Sequence, residues 1–328
     1  MNQNNELLTH KIGLGTAPLG NMFREVPEEE AKATIEAAWD AGIRYYDTAP
    51  FYGAGLAELR LGNFLSKRNR DDFVLSTKVG RVIEDETEEK EGLFANGRTN
   101  KVTTDYSAEA THASIDQSLQ RLQTNRIDFV FVHDLSPDYH GDEWIAKFEE
   151  ARTGAFRVLD DLKEQGVIKG WGLGVNTTIP IELALQLEEV HPTISLQATQ
   201  YTLLDHEDTL RRMMPEVEQS NASIVVGAPY SSGALLGGDN YNYGDIPQDV
   251  QTKINSLKEV AESHGVSLKA AALQFSLAHP AVAAVIPGST RPDRIEEDLN
   301  ALQEKIPEAF WQELIEKQLI SAVAPLPL

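Results

Sequence analysis

An α/β fold, a (β/α)8 barrel with extra C-terminal helices, is what the order of short apolar runs along this chain predicts. Three observations carry that expectation. Eight runs rich in β-branched or aromatic residues recur, at Lys11 to Thr16, Ile43 to Tyr46, Phe73 to Lys78, Ile127 to Val132, Gly170 to Val175, Ile194 to Ala198, Ser223 to Val226 and Ala283 to Ile286. Longer segments with helical spacing separate them, which is the alternation of parallel strands and crossover helices. The repeat averages roughly 40 residues, and eight such units close a barrel more readily than they build an open doubly wound sheet.

The helices have readable starts and stops. Val26-Pro27-Glu28-Glu29-Glu30 opens the first with proline and acids at the positive end of the macrodipole. Ala31, Thr34, Ile35 and Ala38 form its stripe, and Ala41-Gly42 ends it. Further helices are expected over Leu56 to Lys67, from Tyr106-Ser107-Ala108-Glu109 onward, Glu149 to Gln165, Ile181 to Val190, His206 to Gln219 and Gln248 to His264. Three segments exceed the bare repeat: a charged insertion over Arg81 to Asp105, an Ala-rich helix over Ser267 to Ala278, and a last helix over Pro307 to Ile320. No Pro-, Gly- or Ser-rich linker divides the chain, so residues 1–328 are expected to form one barrel domain.

Composition narrows the function. With 29 basic against 51 acidic residues the formal net charge is -22, which repels nucleic-acid backbones and anionic membrane surfaces. The absence of cysteine excludes disulfides, thiolate metal sites and thiol catalysis together. No secretory pattern opens the sequence and no apolar run approaches the roughly 20 residues of a membrane span. A cytoplasmic enzyme or binding protein, monomeric or weakly homo-oligomeric, is expected.

Polar residues gather just past the strand ends, where a barrel places its active site. These are Asp47, Lys78, His133, Asn176 and Tyr230. A lysine closing so apolar a run as Phe73 to Thr77 must reach solvent or find an anion, and Asp47 on the adjacent strand is the natural one. Tyr52 lies five positions beyond Asp47, in a loop set by Pro50, Gly53 and Gly55. His133 ends Phe129-Val130-Phe131-Val132 and is a candidate hydrogen-bond donor or proton shuttle. The histidines show no metal-ligand spacing, and no metal is expected.

Two loops suit a phosphorylated, planar ligand. Val285-Ile286-Pro287-Gly288-Ser289-Thr290-Arg291-Pro292-Asp293-Arg294 runs from the eighth strand into a helix N-terminus, the usual phosphate position of barrels. Ala228 to Leu235 adds hydroxyls, glycine and Tyr230, whose ring could lie on a planar group. By contrast, Gly13 to Gly20 lacks the spacing of a Rossmann fingerprint and leads into no immediate helix.

These residues resemble the motifs of the aldo-keto reductase family. Gly42 to Gly53 is similar to its first signature, Ser76-Thr77-Lys78 to its lysine strand, Arg126 to His133 to its histidine strand, and Ile286 to Arg294 to its cofactor-phosphate loop. Gly15 to Asn21, Asp105-Tyr106-Ser107, His133-Asp134 and Tyr201 to Leu204 resemble the subgroup of D-threo-aldose, L-fucose and L-galactose dehydrogenases and pyridoxal 4-dehydrogenase. The resemblance implies hydride transfer between NAD or NADP and a carbonyl or hydroxyl of a small substrate such as an aldose, pyridoxal or a simple aldehyde. It implies Asp47, Tyr52, Lys78 and His133 as the catalytic four. Tyr52 would move the proton, Lys78 would lower its pKa, Asp47 would hold Lys78, and His133 would donate to the substrate oxygen. Thr16, Asp47, Asn176, Gln200, Tyr230, Ser231, Gly233, Leu235, Pro287, Gly288, Ser289, Arg294 and Asp298 would bind the cofactor. An alternative carried by the same resemblance is a non-catalytic NAD(P)-binding barrel like the potassium-channel β subunits.

Overall fold

The structure is a computed structural model, and it describes residues 7–327. Eight parallel strands form the barrel in the order β1 (Leu14–Gly15), β2 (Tyr45–Asp47), β3 (Val74–Val79), β6 (Phe129–His133), β7 (Gly170–Val175), β8 (Ile194–Ala198), β9 (Ser223–Gly227) and β10 (Val282–Ile286). The cylinder closes where the Gly13 N–H donates to Val285 O and the Val285 N–H donates to Lys11 O, both at 2.9 Å. All eight predicted strands are present, each within a few residues of its expected bounds. β1 is the shortest because its pairing is carried partly by single bridges at Ile12 and Gly15.

Each strand alternates its side chains between the barrel lumen and the helical shell. Phe129, Phe131, Leu196 and Ile286 share an inner cluster, whereas Val130, Val132 and Trp171 join the larger core that runs out to helices such as Ala155–Glu164 and Leu268–Ala278. Ser107 caps helix Ala108–Leu122 by accepting from the Ala110 N–H at 3.2 Å. No helix among the described residues is long and apolar enough to cross a membrane.

Two expectations differ from what forms. The helix predicted from Glu149 to Gln165 is two helices, Trp144–Thr153 and Ala155–Glu164, broken at Gly154. The backbone of Tyr106 to Ala108 lies so close there that a Cβ on Gly154 would meet Tyr106 O at 2.5 Å, and the Ala155 N–H donates to that same oxygen. The charged insertion after β3 is an antiparallel hairpin, β4 (Arg81–Thr87) with β5 (Asn100–Thr104). The acids of β4, Glu84, Asp85 and Glu86, hide its period-2 signal, because the hairpin stands above the barrel instead of inside it.

The hairpin and the loop after β2 meet over the barrel mouth. The Gly53 O accepts from the Arg98 N–H at 3.1 Å, and the Asn21 side-chain amide donates to Asn96 O at 2.7 Å. Gly20 and Gly53 pack backbone to backbone: a Cβ on Gly20 would meet Tyr52 C at 2.6 Å, and one on Gly53 would overlap Gly20 O. Gly53 also has a φ of +65. Gly53→Ala is therefore expected to lose roughly 1–3 kcal/mol and to shift the Tyr52 loop. A lowered melting temperature together with reduced turnover checks this; an unchanged melting temperature refutes it.

Candidate active site

The site lies at the C-terminal mouth of the barrel, where the β4–β5 hairpin and the loop after β9 rise over the strand ends. A cleft of about 1120 Å³ crosses that mouth. This exceeds the roughly 300–1,000 Å³ of an ordinary small-molecule pocket.

Lys78 and Asp47 form its floor. Their side chains are 1% and 2% exposed, and Lys78 Nζ donates to Asp47 Oδ2 at 2.7 Å and to Thr48 O at 2.9 Å. The other carboxylate oxygen accepts from Ser76 Oγ at 2.7 Å, while the Thr16 hydroxyl and N–H both donate to Asp47 O. Burial pushes the Asp47 carboxyl above its ordinary range, and the Lys78 charge opposes that push.

Tyr52 stands half-buried beside them, its ring 4.6 Å from Lys78 Nζ, stacked on Phe94 and edge-on to His133 at 5.7 Å. No hydrogen-bond partner meets its hydroxyl among the described residues. Enclosure by protein raises its pKa well above the ordinary phenol value, with Asp47 and Asp134 adding to the effect. The Lys78 ammonium lies over the ring face and is paired with Asp47. His133 is held neutral, its pKa well below the usual value through burial first and then through Lys78 and Arg81. Its Nδ1 is buried without a protein partner.

Among the residues expected to hold a cofactor, Asp47, Asn176, Tyr230, Gly233, Gly288, Ser289, Arg294 and Asp298 line the cleft. Tyr230 donates to Asp298 Oδ1 at 2.6 Å, and Lys269 reaches that same carboxylate at 3.2 Å, so the tyrosine ring is fixed from behind. Thr16, Gln200, Ser231, Leu235 and Pro287 stand behind the lining. Thr16 is fully buried under Asp47, Gln200 Nε2 donates to Thr199 Oγ1, and Pro287 O accepts from the Gly15 N–H. Ser231 and Leu235 are buried, and their chain neighbours Ser232 and Leu236 line the cleft instead. Left-handed backbone at Ser231, Ser232 and Gly233 turns the loop by that one position. Phe94, Tyr243 and Lys269 also line the site, and no motif in the sequence marked them.

A match to the aldo/keto reductase family model spans residues 11–318. The chain belongs to the aldo/keto reductase family. Two relatives are similar along nearly the whole length. Pyridoxal 4-dehydrogenase of Microbacterium luteolum is 36% identical, and D-threo-aldose 1-dehydrogenase of a Pseudomonas species is 34% identical. Each alignment covers 94% of this chain and 94% of the relative. The solved holo form of an aldo-keto reductase from Bacillus halodurans superposes with a TM-score of 0.70 at 26% identity, covering 96% of this chain and 93% of that one.

This member of the family is an NAD(P)-dependent oxidoreductase acting on carbonyl and hydroxyl groups. The lining fits a dinucleotide on its own chemistry. One end offers the N-terminus of helix Pro292–Gln303 and Arg294, an exposed guanidinium without a carboxylate partner among the described residues. The other offers the Tyr230 ring and the Asn176 amide.

Two outcomes follow from the electrostatics. Lys78→Met leaves a buried carboxylate facing no cation and should cost roughly 3–5 kcal/mol, while Lys78→Met with Asp47→Asn should recover part of that loss. Urea unfolding measures both, and a double variant no more stable than the single contradicts the pairing. His133, His140, His206 and His279 all have lowered pKa values, burial being the first cause in each, with His206 at about 4. Below about pH 6.5 the unfolded chain binds protons that the folded one refuses, so stability falls as pH drops. The limiting slope is about 1.4 kcal/mol per pH unit for each histidine. His133→Gln should flatten the decline measured between pH 7 and 5; an equally steep decline would contradict burial of a neutral imidazole.

Proposed function

We propose that this chain reduces and re-oxidises small uncharged carbonyl compounds, aldoses or aromatic aldehydes such as pyridoxal, with Tyr52 as the proton-transferring residue and His133 as the donor that orients the substrate oxygen. The observation that carries this reading is the convergence of Tyr52, Lys78, Asp47 and His133 on one cleft at the barrel mouth. A nicotinamide held at the Tyr230 and Asn176 end would supply the hydride for reduction of the carbonyl carbon, or accept it in oxidation of the alcohol. Tyr52 carries its proton at the start of a reduction, because enclosure keeps the phenol neutral. The oxygen that gains charge as the carbonyl is reduced takes that proton, and a neutral His133 N–H holds the same oxygen in place. Lys78 steadies the charge left on the phenol through the ring face. Tyr230 and Asn176 position the nicotinamide end, and Ser289 with Arg294 the phosphate end.

An uncharged substrate fits the charges around the reacting end. Lys78 is committed to Asp47, Arg81 to Asp134 and Lys90 to Glu88, while Glu89, Glu91 and Asp239 add negative charge to the rim. A phosphorylated aldehyde would meet acids where it needs cations. Phe51, Phe94, Tyr139 and Tyr243 supply apolar walls for a sugar face or an aromatic ring. The regulatory-barrel alternative gives no task to the unpaired Tyr52 hydroxyl and His133 that face the same cleft, and it is the weaker reading.

Steady-state kinetics with NAD and NADP across aldoses, pyridoxal and simple aldehydes tests the reading. Tyr52→Phe should lower turnover by about 10²- to 10⁴-fold with cofactor affinity nearly intact, since it removes one proton donor and leaves the platform. Turnover equal to that of the parent would remove Tyr52 from this role.

A further inference from the structure

Beside His133 stands a carboxylate that the proposed reaction does not use. Asp134 lines the cleft with its side chain 15% exposed. Its backbone has a φ of +50, a left-handed conformation that asparagine and aspartate tolerate better than most residues and that persists only where the surroundings hold it. The Asp134 N–H donates to Gly174 O at 3.0 Å and Asp134 O accepts from the Ser136 N–H at 2.9 Å, so the strand end fixes where the carboxylate points.

The two oxygens have different surroundings. Oδ2 accepts from Arg81 at 3.0 Å. That guanidinium is 1% exposed and clamped: it donates to Gly80 O, and it lies 4.4 Å from the Tyr139 ring and 5.2 Å from the Phe51 ring. Oδ1 has no hydrogen bond from the described residues and stands 3.6 Å from His133 Nε2. Burial raises the Asp134 pKa only to about 6, with Arg81 opposing the rise, so the group is an anion at neutral pH. A fixed, ionised acceptor with one lone oxygen therefore stands next to the nitrogen that would hold the substrate oxygen.

We propose that Asp134 is a specificity-determining residue, whose Oδ1 accepts a hydrogen bond from a hydroxyl on the carbon adjacent to the reacting carbonyl and so selects α-hydroxy aldehydes over plain ones. This rests on the reading of His133 as the group that holds the carbonyl oxygen. A carbonyl held there brings the hydroxyl of the neighbouring carbon against the same wall, where Oδ1 is the free acceptor. Without that hydroxyl, the substrate leaves a desolvated carboxylate oxygen unpaired, and penalties of this kind give larger discrimination than a lost apolar contact. Arg81 is the positioning residue: it holds Oδ2 and leaves Oδ1 turned to the cleft.

The test uses aldehydes matched in length: propanal, lactaldehyde with one hydroxyl beside the carbonyl, and glyceraldehyde with two. The readout is the ratio of kcat/KM for lactaldehyde to that for propanal. In Asp134→Asn the amide oxygen can keep the Arg81 bond while a neutral group replaces the charged acceptor, and the ratio should fall at least about fivefold. In Asp134→Ala it should fall at least about tenfold, chiefly through KM, with glyceraldehyde following lactaldehyde. Melting temperature and a fluorescence titration with NADH confirm that the isosteric Asn variant, the decisive one of the two, is folded. An unchanged ratio overturns the proposal even if all rates fall together, because a purely structural partner of Arg81 would slow every aldehyde alike. A parent enzyme that reduces none of the three with either cofactor would instead overturn the proposed function and this inference with it.

Discussion

Lys78 and Asp47 place opposite charges 2.7 Å apart almost out of reach of water, and the arrangement of the mouth follows from that pair. Removing either ion from water costs several kcal/mol, so the pair is tolerable only if the remaining lone pairs and N–H groups are also met. Thr48 O accepts a second hydrogen bond from Lys78, Ser76 Oγ donates to the second Asp47 oxygen, and Thr16 ties the Asp47 carbonyl to β1. The ends of β1, β2 and β3 are thereby locked together at one depth. That lock fixes where the loop after β2 begins, and with it Tyr52.

The same pair also decides what the phenol can do. A lysine free of partners would lower the pKa of a nearby phenol, but here its charge is matched by a carboxylate that itself raises Tyr52. Enclosure then dominates, and the phenol keeps its proton. A neutral phenol is a ready donor to an oxygen whose basicity rises as the carbonyl is reduced. The reverse direction asks the phenolate to form, and the ammonium 4.6 Å from the ring centroid is the group placed to meet that charge.

The barrel was legible because its strands are short, apolar and spaced by amphipathic helices, a pattern set by local burial. What escaped the sequence was set by contacts across it. The break at Gly154 answers the backbone of Tyr106 to Ala108, more than 40 positions away, and an isolated Glu149 to Gln165 segment carries only the helical period. The β4–β5 hairpin is too acidic to announce itself as strand. At the site, Asp47, Lys78 and His133 were visible by position, as was the pairing of the first two, whereas the proton-transferring role of Tyr52 came from the family resemblance. The Arg81–Asp134 pair and the Lys269–Asp298–Tyr230 chain were not visible, because each joins elements that meet only after the barrel closes. In the loop after β9, three successive left-handed residues turned Ser232 inward in place of Ser231, which no period predicts.

A division of labour in the mouth follows from these packing facts. Lys78, Asp47 and Ser76 at the strand ends are buried, mutually satisfied and held by the barrel, so the ion pair is broken only at a cost of several kcal/mol. The rim is built differently: Phe94 comes from the hairpin, Tyr139 from the loop after β6 and Tyr243 from the loop after β9, and each is held by stacking or by a few backbone bonds. Such loops accept replacement without disturbing the floor. Asp134 belongs to neither class alone. It is anchored at a strand end by its backbone and by Arg81, yet its second oxygen stands free beside His133, at the boundary between the buried floor and the rim.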